Sequence, residues 1–315
     1  MRLLNNKKIV FFTAGDENTG STRIRILSLI DELKHRGYKV YFNENFEKAD
    51  IVVFQKSDYH YLKKYFYKSL FSNKFIIFDI DDLYTDFHLR FVKYADLVIT
   101  SCEYMKNEYL CLNKNIDVLA GTPDLIDYSL PIASYDLSRM NVGWFGTWYN
   151  KTLIDKFNIK NVKTITKGGD IEWNKETVDK DIQSFDLIVI PQEKTKEGLS
   201  KDNCRMLKAL YLGVPVLVSD IPDYVELSNL VGYPNEFIVK DGEDWNKKIE
   251  DIKIGKIRFD FDFVKCRKIL NVHFSKESMT NKWLSFLFNR YKRFPIINHF
   301  LLLIKNYKDI RKMRK

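Results

Sequence analysis

Short runs of β-branched and aromatic residues recur along this chain, each apolar on both faces and each separated from the next by a polar or helix-period stretch. They fall at 8–14 (KIVFFTA), 38–43, 50–56, 75–81, 96–101 and 116–120, then at 141–146, 160–166, 185–191, 215–220 and 236–240. A strand that is apolar throughout is covered on both faces, which is the pattern of a parallel sheet built from βαβ units. The intervening stretches fit that reading. Ile24, Leu27, Ile30 and Leu33 recur at helical spacing, and Gly37 follows the basic Lys34-His35-Arg36 turn as a helix-ending glycine. Further helices are expected over 57–73, 203–212 and 245–251, with a last long one from 275. Residues 122–139 hold Pro123 and Pro131 and lose the periodicity, which marks a domain boundary. The 315 residues are enough for two cores. The expectation is an α/β protein with two doubly wound parallel-sheet domains, 1–130 and 131–275, followed by C-terminal helices over 276–315.

Composition excludes several classes. With 7 prolines and 13 glycines the chain is neither collagenous nor linker-rich. No run approaches the ~20 apolar residues of a membrane span, and the apolar run after the basic start is too short for a secretion signal. Cys102, Cys111, Cys204 and Cys266 form no CxxC pair, so they are expected to be reduced thiols in a cytoplasmic protein. The net charge is +9, and residues 281–315 carry ten basic side chains against Asp309 alone. The rest of the chain is therefore neutral. It shows no nucleic-acid-binding signature, and no nucleic-acid partner is expected.

In an open parallel sheet, ligands bind beyond the carboxyl ends of the strands. Four segments there carry chemistry. After the first run, a loop with Gly15 and Gly20 leads to Ser21, Thr22 and Arg23. The glycines lack the spacing of a dinucleotide fingerprint, but a helix start with these residues suits an anion or a hydroxylated acceptor. Asp79, Asp81 and Asp82 crowd the end of the 75–81 run, where mutual repulsion raises a carboxyl pKa toward that of a general base. Asp79 is expected to orient an acceptor; Asp81 or Asp82 takes its proton if the reaction inverts and only orients it if the reaction retains, with His88 as a further candidate base. In NVGWFGTW, Gly143 and Gly146 admit close backbone approach to a ligand, and Trp148 and Asn150 share the loop. Finally, Asn203, Lys201 and Arg205 cluster where a helix begins, and two cations at a helix N-terminus suit a diphosphate.

The stretch 203–220, N-x-R-x-L-K-A-L-x-x-G-V-P-V-L-V-S-D, resembles the donor-binding helix and strand of GT-B glycosyltransferases, specifically those of family 4. VGWFGTW is similar to the glycine loop that opens their C-terminal domain, and 171–191 to the segment before their donor site. The resemblance implies two Rossmann-like domains facing an interdomain cleft. It places a nucleotide-sugar donor on the C-terminal domain and an acceptor on the N-terminal one. By the same resemblance, Lys201 and Arg205 neutralise the leaving diphosphate, Gly143, Gly146, Trp148 and Asn203 line the donor, and Glu226 lies close to it. Such enzymes use no metal or other cofactor. Asp79-Ile80-Asp81 has the form of the DxD metal motif, but that motif belongs to a one-domain glycosyltransferase fold. One departure stands out. The family's paired glutamates fall on Ser200 and Lys208, and a lysine cannot accept hydrogen bonds from a ribose.

The function these readings imply is glycosyl transfer to a saccharide or lipid-linked saccharide, in synthesis of a bacterial surface polysaccharide. Two alternatives share the fold: a nucleotide-sugar epimerase and a non-catalytic nucleotide-sugar-binding module. In the tail, Ile296, Ile297, Phe300, Leu301, Ile304 and Tyr307 recur at helical spacing beside Lys305, Lys308, Arg311, Lys312, Arg314 and Lys315. A basic amphipathic helix of this kind suits an anionic membrane surface, so 294–315 is expected to bind the inner face of the cell membrane.

Overall fold

The computed structural model describes Leu4 and residues 6–13, 15–56, 62–82 and 86–292. The start of the helix expected at 57–73 and the basic tail 294–315 lie outside the described residues.

The chain forms two units, one running to Ala120 and joined by the helix Lys276–Tyr291, the other spanning Gly121–Ser275. Each is a six-stranded sheet with parallel pairing throughout. The first contains β1 (Lys8–Phe12), β2 (Lys39–Phe42), β3 (Ile51–Gln55), β4 (Phe75–Ile80), β5 (Leu97–Thr100) and β6 (Ile116–Val118), in the order β2-β1-β3-β4-β5-β6. The second contains β7 (Val142–Phe145), β8 (Val162–Thr166), β9 (Ile171–Glu172), β10 (Leu187–Ile190), β11 (Val216–Ser219) and β12 (Ile238–Val239), ordered β12-β11-β10-β7-β8-β9. Every apolar run of the sequence supplies one strand, and only the two-residue β9 lacks such a run.

The strands are buried on both faces because their alternate side chains serve two layers. Ile51–Gln55 and Phe75–Ile80 are buried at every position. One face of the first sheet packs an aromatic core in which Phe12 stacks on Phe54 at 5.6 Å and Phe66 meets Phe91 edge-on at 4.7 Å. Such pairs add about 0.5–1.5 kcal/mol beyond the apolar area they bury.

The first boundary falls at Ala120, not at 130. The proline-bearing segment after Ala120 is part of the second unit. Lys208 Nζ donates to the Asp124 carbonyl at 2.7 Å, Gln183 Nε2 to that of Pro131 at 2.7 Å, and Arg267 Nη1 to that of Leu130 at 2.8 Å. Loss of periodicity there marks an irregular strap satisfied by side-chain donors. The last helix, Lys276–Tyr291, belongs with the first sheet: Trp283 lies 5.9 Å from Phe11, Tyr291 lies 5.4 Å from Phe75, and Arg36 Nη1 donates to Asn281 Oδ1 at 2.6 Å.

Candidate functional site

The strand orders say where a ligand can enter. In each sheet the order reverses once, between β1 and β3 and between β7 and β10, and loops leaving such a switch point diverge to open a crevice at the carboxyl ends.

In the second unit, the loop after β7 carries Gly146, and the helix Cys204–Leu212 follows β10 and its loop. These two meet at Arg205. A Cβ placed on Gly146 would sit 2.9 Å from Trp144 Cζ2, so the absent side chain makes room for that ring, and the Arg205 guanidinium lies beside the same glycine, with Nη1 3.5 Å from the Cβ position. Arg205 Nη1 is buried and makes no hydrogen bond. Asn203 occupies the N-cap, yet its side chain does not cap. Asp202 Oδ1 instead accepts the Cys204 N–H at 3.2 Å, and the buried Asn203 Oδ1 is left without a partner. Tyr224, wholly buried in the first turn of the helix Pro222–Val231, adjoins Arg205, Gln192 and Asp202. Burial pushes its hydroxyl pKa up, and the Asp202 charge adds to this, with Arg205 and Gln192 opposing. A buried polar group left unmatched costs roughly 1–3 kcal/mol, so the buried Arg205 Nη1 and Asn203 Oδ1 beside the switch point mark it as the place to look for a ligand.

Gly143 and Glu226 sit differently from expectation, while Lys201 and Trp148 lie in the loops expected for them. Gly143 is glycine for packing, since a Cβ there would lie 2.5 Å from the Phe185 ring. Lys201 precedes the helix and lies 3.6 Å from Glu197 Oε1. Glu226 is exposed. Two residues correspond to about 200° around a helix, so Glu226 points away from the face on which Tyr224 reaches Arg205. Trp148 is 65% exposed and meets Tyr149 edge-on at 5.9 Å in the loop after β7.

Lys208 also has a clear role. Its buried ammonium pairs with Asp179 at 2.6 Å, while Asp179 Oδ2 accepts the Ile126 N–H at 2.8 Å. The lysine that stands at a glutamate position thus ties the strap after Ala120 to the helix. Ser200, at the other such position, donates to the Glu197 carbonyl at 2.6 Å.

In the first unit, the helix after β1 begins as a π-helical stretch, Thr22–Leu27, before the regular turns Ser28–His35. Such stretches are rare and concentrate at functional sites. This one turns Thr22 and Arg25 inward, and Thr22 Oγ1 donates to Gln55 Oε1 at 3.2 Å. Arg25 donates through Nε and Nη2 to the two oxygens of Asp79, at 2.8 and 2.9 Å, and through Nη1 to the Leu119 carbonyl at 2.7 Å. Asp79, expected to orient an acceptor, is therefore committed to a buried ion pair. Arg23 Nη1 donates to the Glu17 carbonyl at 2.9 Å on the exposed side, and Ser21 is half-buried beside it.

Asp81 and Asp82 share one cation, with Lys56 Nζ at 3.0 Å from Asp81 Oδ1 and 2.6 Å from Asp82 Oδ2. The Asp81 carboxyl is raised to about 6, first by burial and then by the charges of Asp82 and Asp79, against the pull of Lys56 and Arg25. Repulsion was the expected cause, but desolvation is the larger one. His88 is pushed down by burial and by Lys56. Among the described residues, no cluster of His, Cys, Asp and Glu has the arrangement of a metal site.

The sequence reading missed Arg25, Gln55, Lys56, Gln192 and Tyr224. Arg25 had a signal: it lies on the stripe Arg25-Leu29-Leu33, where a charge among buried positions needs a partner.

No protein-family model and no curated protein sequence matches the chain. Solved structures match its fold. HepE of Anabaena in complex with UDP-glucose is 13% identical, with a TM-score of 0.60 over 90% of this chain and 100% of that one. Sucrose-phosphate synthase from Thermosynechococcus elongatus is 10% identical, with a TM-score of 0.62 over 92% and 100%. A glycosyltransferase from Rickettsia africae is 14% identical, with a TM-score of 0.61 over 91% and 99%. The chain has the two-domain α/β fold of the GT-B glycosyltransferases.

Proposed function

We propose that the protein is a glycosyltransferase that moves a sugar from a nucleotide-sugar donor to a hydroxyl acceptor, as a variant of family 4 without its paired glutamates. The observation that carries this reading is the Arg205 guanidinium, its Nη1 buried beside Gly146 in the first turn of a helix at the switch point of the second sheet. Similarity to a structure holding UDP-glucose supports the choice of donor.

In this reading the donor lies at the carboxyl end of the second sheet. Arg205, Lys201 and the helix N-terminus meet the charge that builds on the diphosphate as the glycosidic C–O bond breaks. The acceptor is held in the first unit by Ser21 and Arg23, since Thr22, expected to join them, is buried against Gln55. Its oxygen bonds to the anomeric carbon, its proton passes to Asp81, and the bonding pair leaves with the nucleoside diphosphate. Lys56 keeps Asp81 ionised near neutrality. A single displacement of this kind inverts the anomeric configuration. Because protein cations supply the positive charge, the reaction needs no divalent ion or other cofactor.

The acceptor we favour is a lipid-linked saccharide used in envelope polysaccharide synthesis, met at an anionic membrane surface through residues 294–315. No helix among the described residues is long and apolar enough to cross a membrane, so attachment would be peripheral. The test is release of nucleoside diphosphate from a nucleotide-sugar panel, with EDTA present and with saccharide acceptors added or withheld. Acceptor-dependent release in EDTA supports the proposal. Conversion of donor to an isomer would make the protein an epimerase, and binding without turnover would leave a binding module. Loss in EDTA that is restored by manganese would move Asp79 and Asp81 to a metal role.

A further inference from the structure

The two ends of the first sheet differ in charge. A residue that leads into a parallel strand lies at the amino end of the sheet, and lysines gather there. Lys39 opens β2, Lys48 ends the turn before β3, Lys93 lies in the last turn of the helix Asp86–Tyr94 before β5, and Lys114 lies in the turn before β6. All four are exposed, as is Lys292, which follows the helix Lys276–Tyr291. Phe71, in the turn before β4, is 51% exposed among them. Acids here are fewer. Asp50 pairs with Lys7 at 3.4 Å, Asp96 Oδ2 accepts the Ile76 N–H at 2.7 Å, and Glu47 and Glu108 are exposed. The carboxyl end instead gathers Asp16, Glu17, Glu44, Asp81 and Asp82 against Arg23 and Lys56.

Packing makes the amino end one surface. Lys74 Nζ donates to the Ala49 carbonyl at 2.7 Å, joining the turns before β3 and β4. Asn113 Nδ2 donates to the Val92 and Ala95 carbonyls at 2.8 Å each, joining those before β5 and β6. Tyr291 meets the Phe75 ring, with Lys7 Nζ 5.7 Å from the Tyr291 centroid, so Lys292 leads into residues 293–315 from this same end. Cations favour helix C-termini in any fold, which accounts for Lys93. It does not account for Lys39, which opens a strand, or for Lys114 and Phe71 in turns.

We propose that the amino end of the first sheet is a docking face for an anionic lipid surface, with Phe71 entering the boundary between headgroups and acyl chains. This rests on the membrane reading above and carries it from the tail to the folded body. An exposed aromatic ring among lysines suits that boundary, and each lysine near it strengthens binding about fivefold. Stable peripheral attachment takes two such signals together, so face and tail are both needed. The docked unit also sets the reach of the acceptor. Asp81 follows β4, whose six residues rise about 20 Å from the amino end, so a lipid-linked acceptor has to extend several sugars from the bilayer.

The test is sedimentation of the full chain with vesicles of phosphatidylglycerol and phosphatidylcholine at low salt. Lys39→Ala, Lys48→Ala and Lys114→Ala together are expected to weaken binding at least about twentyfold. Phe71→Ser is expected to weaken it about fivefold, through lost apolar burial. The melting temperature should hold in both, because these are exposed surface positions. A charge-matched control on exposed lysines of the second unit, Lys160→Ala, Lys163→Ala and Lys167→Ala, is expected to stay within about twofold of wild type. Equal loss in the two triple variants would make net charge responsible and overturn the inference. Wild-type binding in the first triple variant would leave the tail as the whole contact and overturn it too, while the transferase reading stands. An intact wild-type chain that ignores the vesicles ends the membrane reading and this inference with it. A lipid-linked single sugar in vesicles, used as well as its longer homologues, would place the site at the bilayer and contradict docking on this end.

Discussion

Arg25 Nε and Nη2 grip the two oxygens of Asp79 at 2.8 and 2.9 Å, with side chains 2% and 4% exposed. The pair joins the π-helical start of the first helix to the end of β4, and through Leu119 to the segment after β6. It fixes the floor beneath Asp81. Breaking such a pair leaves one charge buried and alone, which costs about 3–5 kcal/mol. Arg25→Met and Asp79→Asn should each lower stability by that amount in urea unfolding, while Arg25→Met with Asp79→Leu recovers most of it. Full stability in both single variants would show that the pair does not hold the site.

Asp81 predicts two pH dependences. Its carboxyl is at about 6 in the folded chain against an ordinary 3.8, so the folded state binds the proton more tightly between these values. Stability from this group is present below about pH 4 and is lost as pH rises through about 6. Asp81→Asn should therefore raise the melting temperature, relative to wild type, more at pH 8 than at pH 4. In the proposed reaction activity runs the other way, because Asp81 acts there as an ionised base, and turnover should fall below about pH 6. Lys56 holds this pKa down, so Lys56→Met should move the acid limb to higher pH. An unmoved limb would remove Asp81 from the proton transfer.

Lys208 gives a prediction opposite to that for a donor contact. Its pair with Asp179 is buried, so Lys208→Met should cost about 3–5 kcal/mol while leaving KM for the donor unchanged in the folded fraction. A raised KM with full stability would return this position to the ribose.

Much of the fold is legible in the sequence because each sheet is buried on both faces. A fully buried strand needs an uninterrupted apolar run, and such a run reads the same in any context. The site is less legible. Gly143 and Gly146 look alike in the sequence, yet one makes room for Phe185 and the other for Trp144 beside Arg205. Glu226 and Tyr224 differ by two positions, and only the helix direction decides which faces Arg205. Lys208 reads as a lost glutamate until its partner, 29 residues earlier in sequence at Asp179, is seen beside it. Partners this distant leave no local pattern.

The tail prediction concerns residues outside those described. Deleting 294–315 should abolish sedimentation with anionic liposomes, and salt should weaken binding of the intact chain, since each cation near such a surface contributes about 1 kcal/mol that salt screens. An intact protein that ignores these liposomes at low salt would end the membrane proposal and leave the transferase proposal standing.

The central claim is that Arg205 receives the leaving diphosphate, and turnover of a donor–acceptor pair by Arg205→Ala tests it most directly. The variant should keep its melting temperature within a few degrees and lose at least tenfold in kcat, as expected for removing a charge-assisted bond of about 1.5–3 kcal/mol. Lys201→Ala should lose activity in the same direction. Wild-type kcat in folded Arg205→Ala would contradict the account.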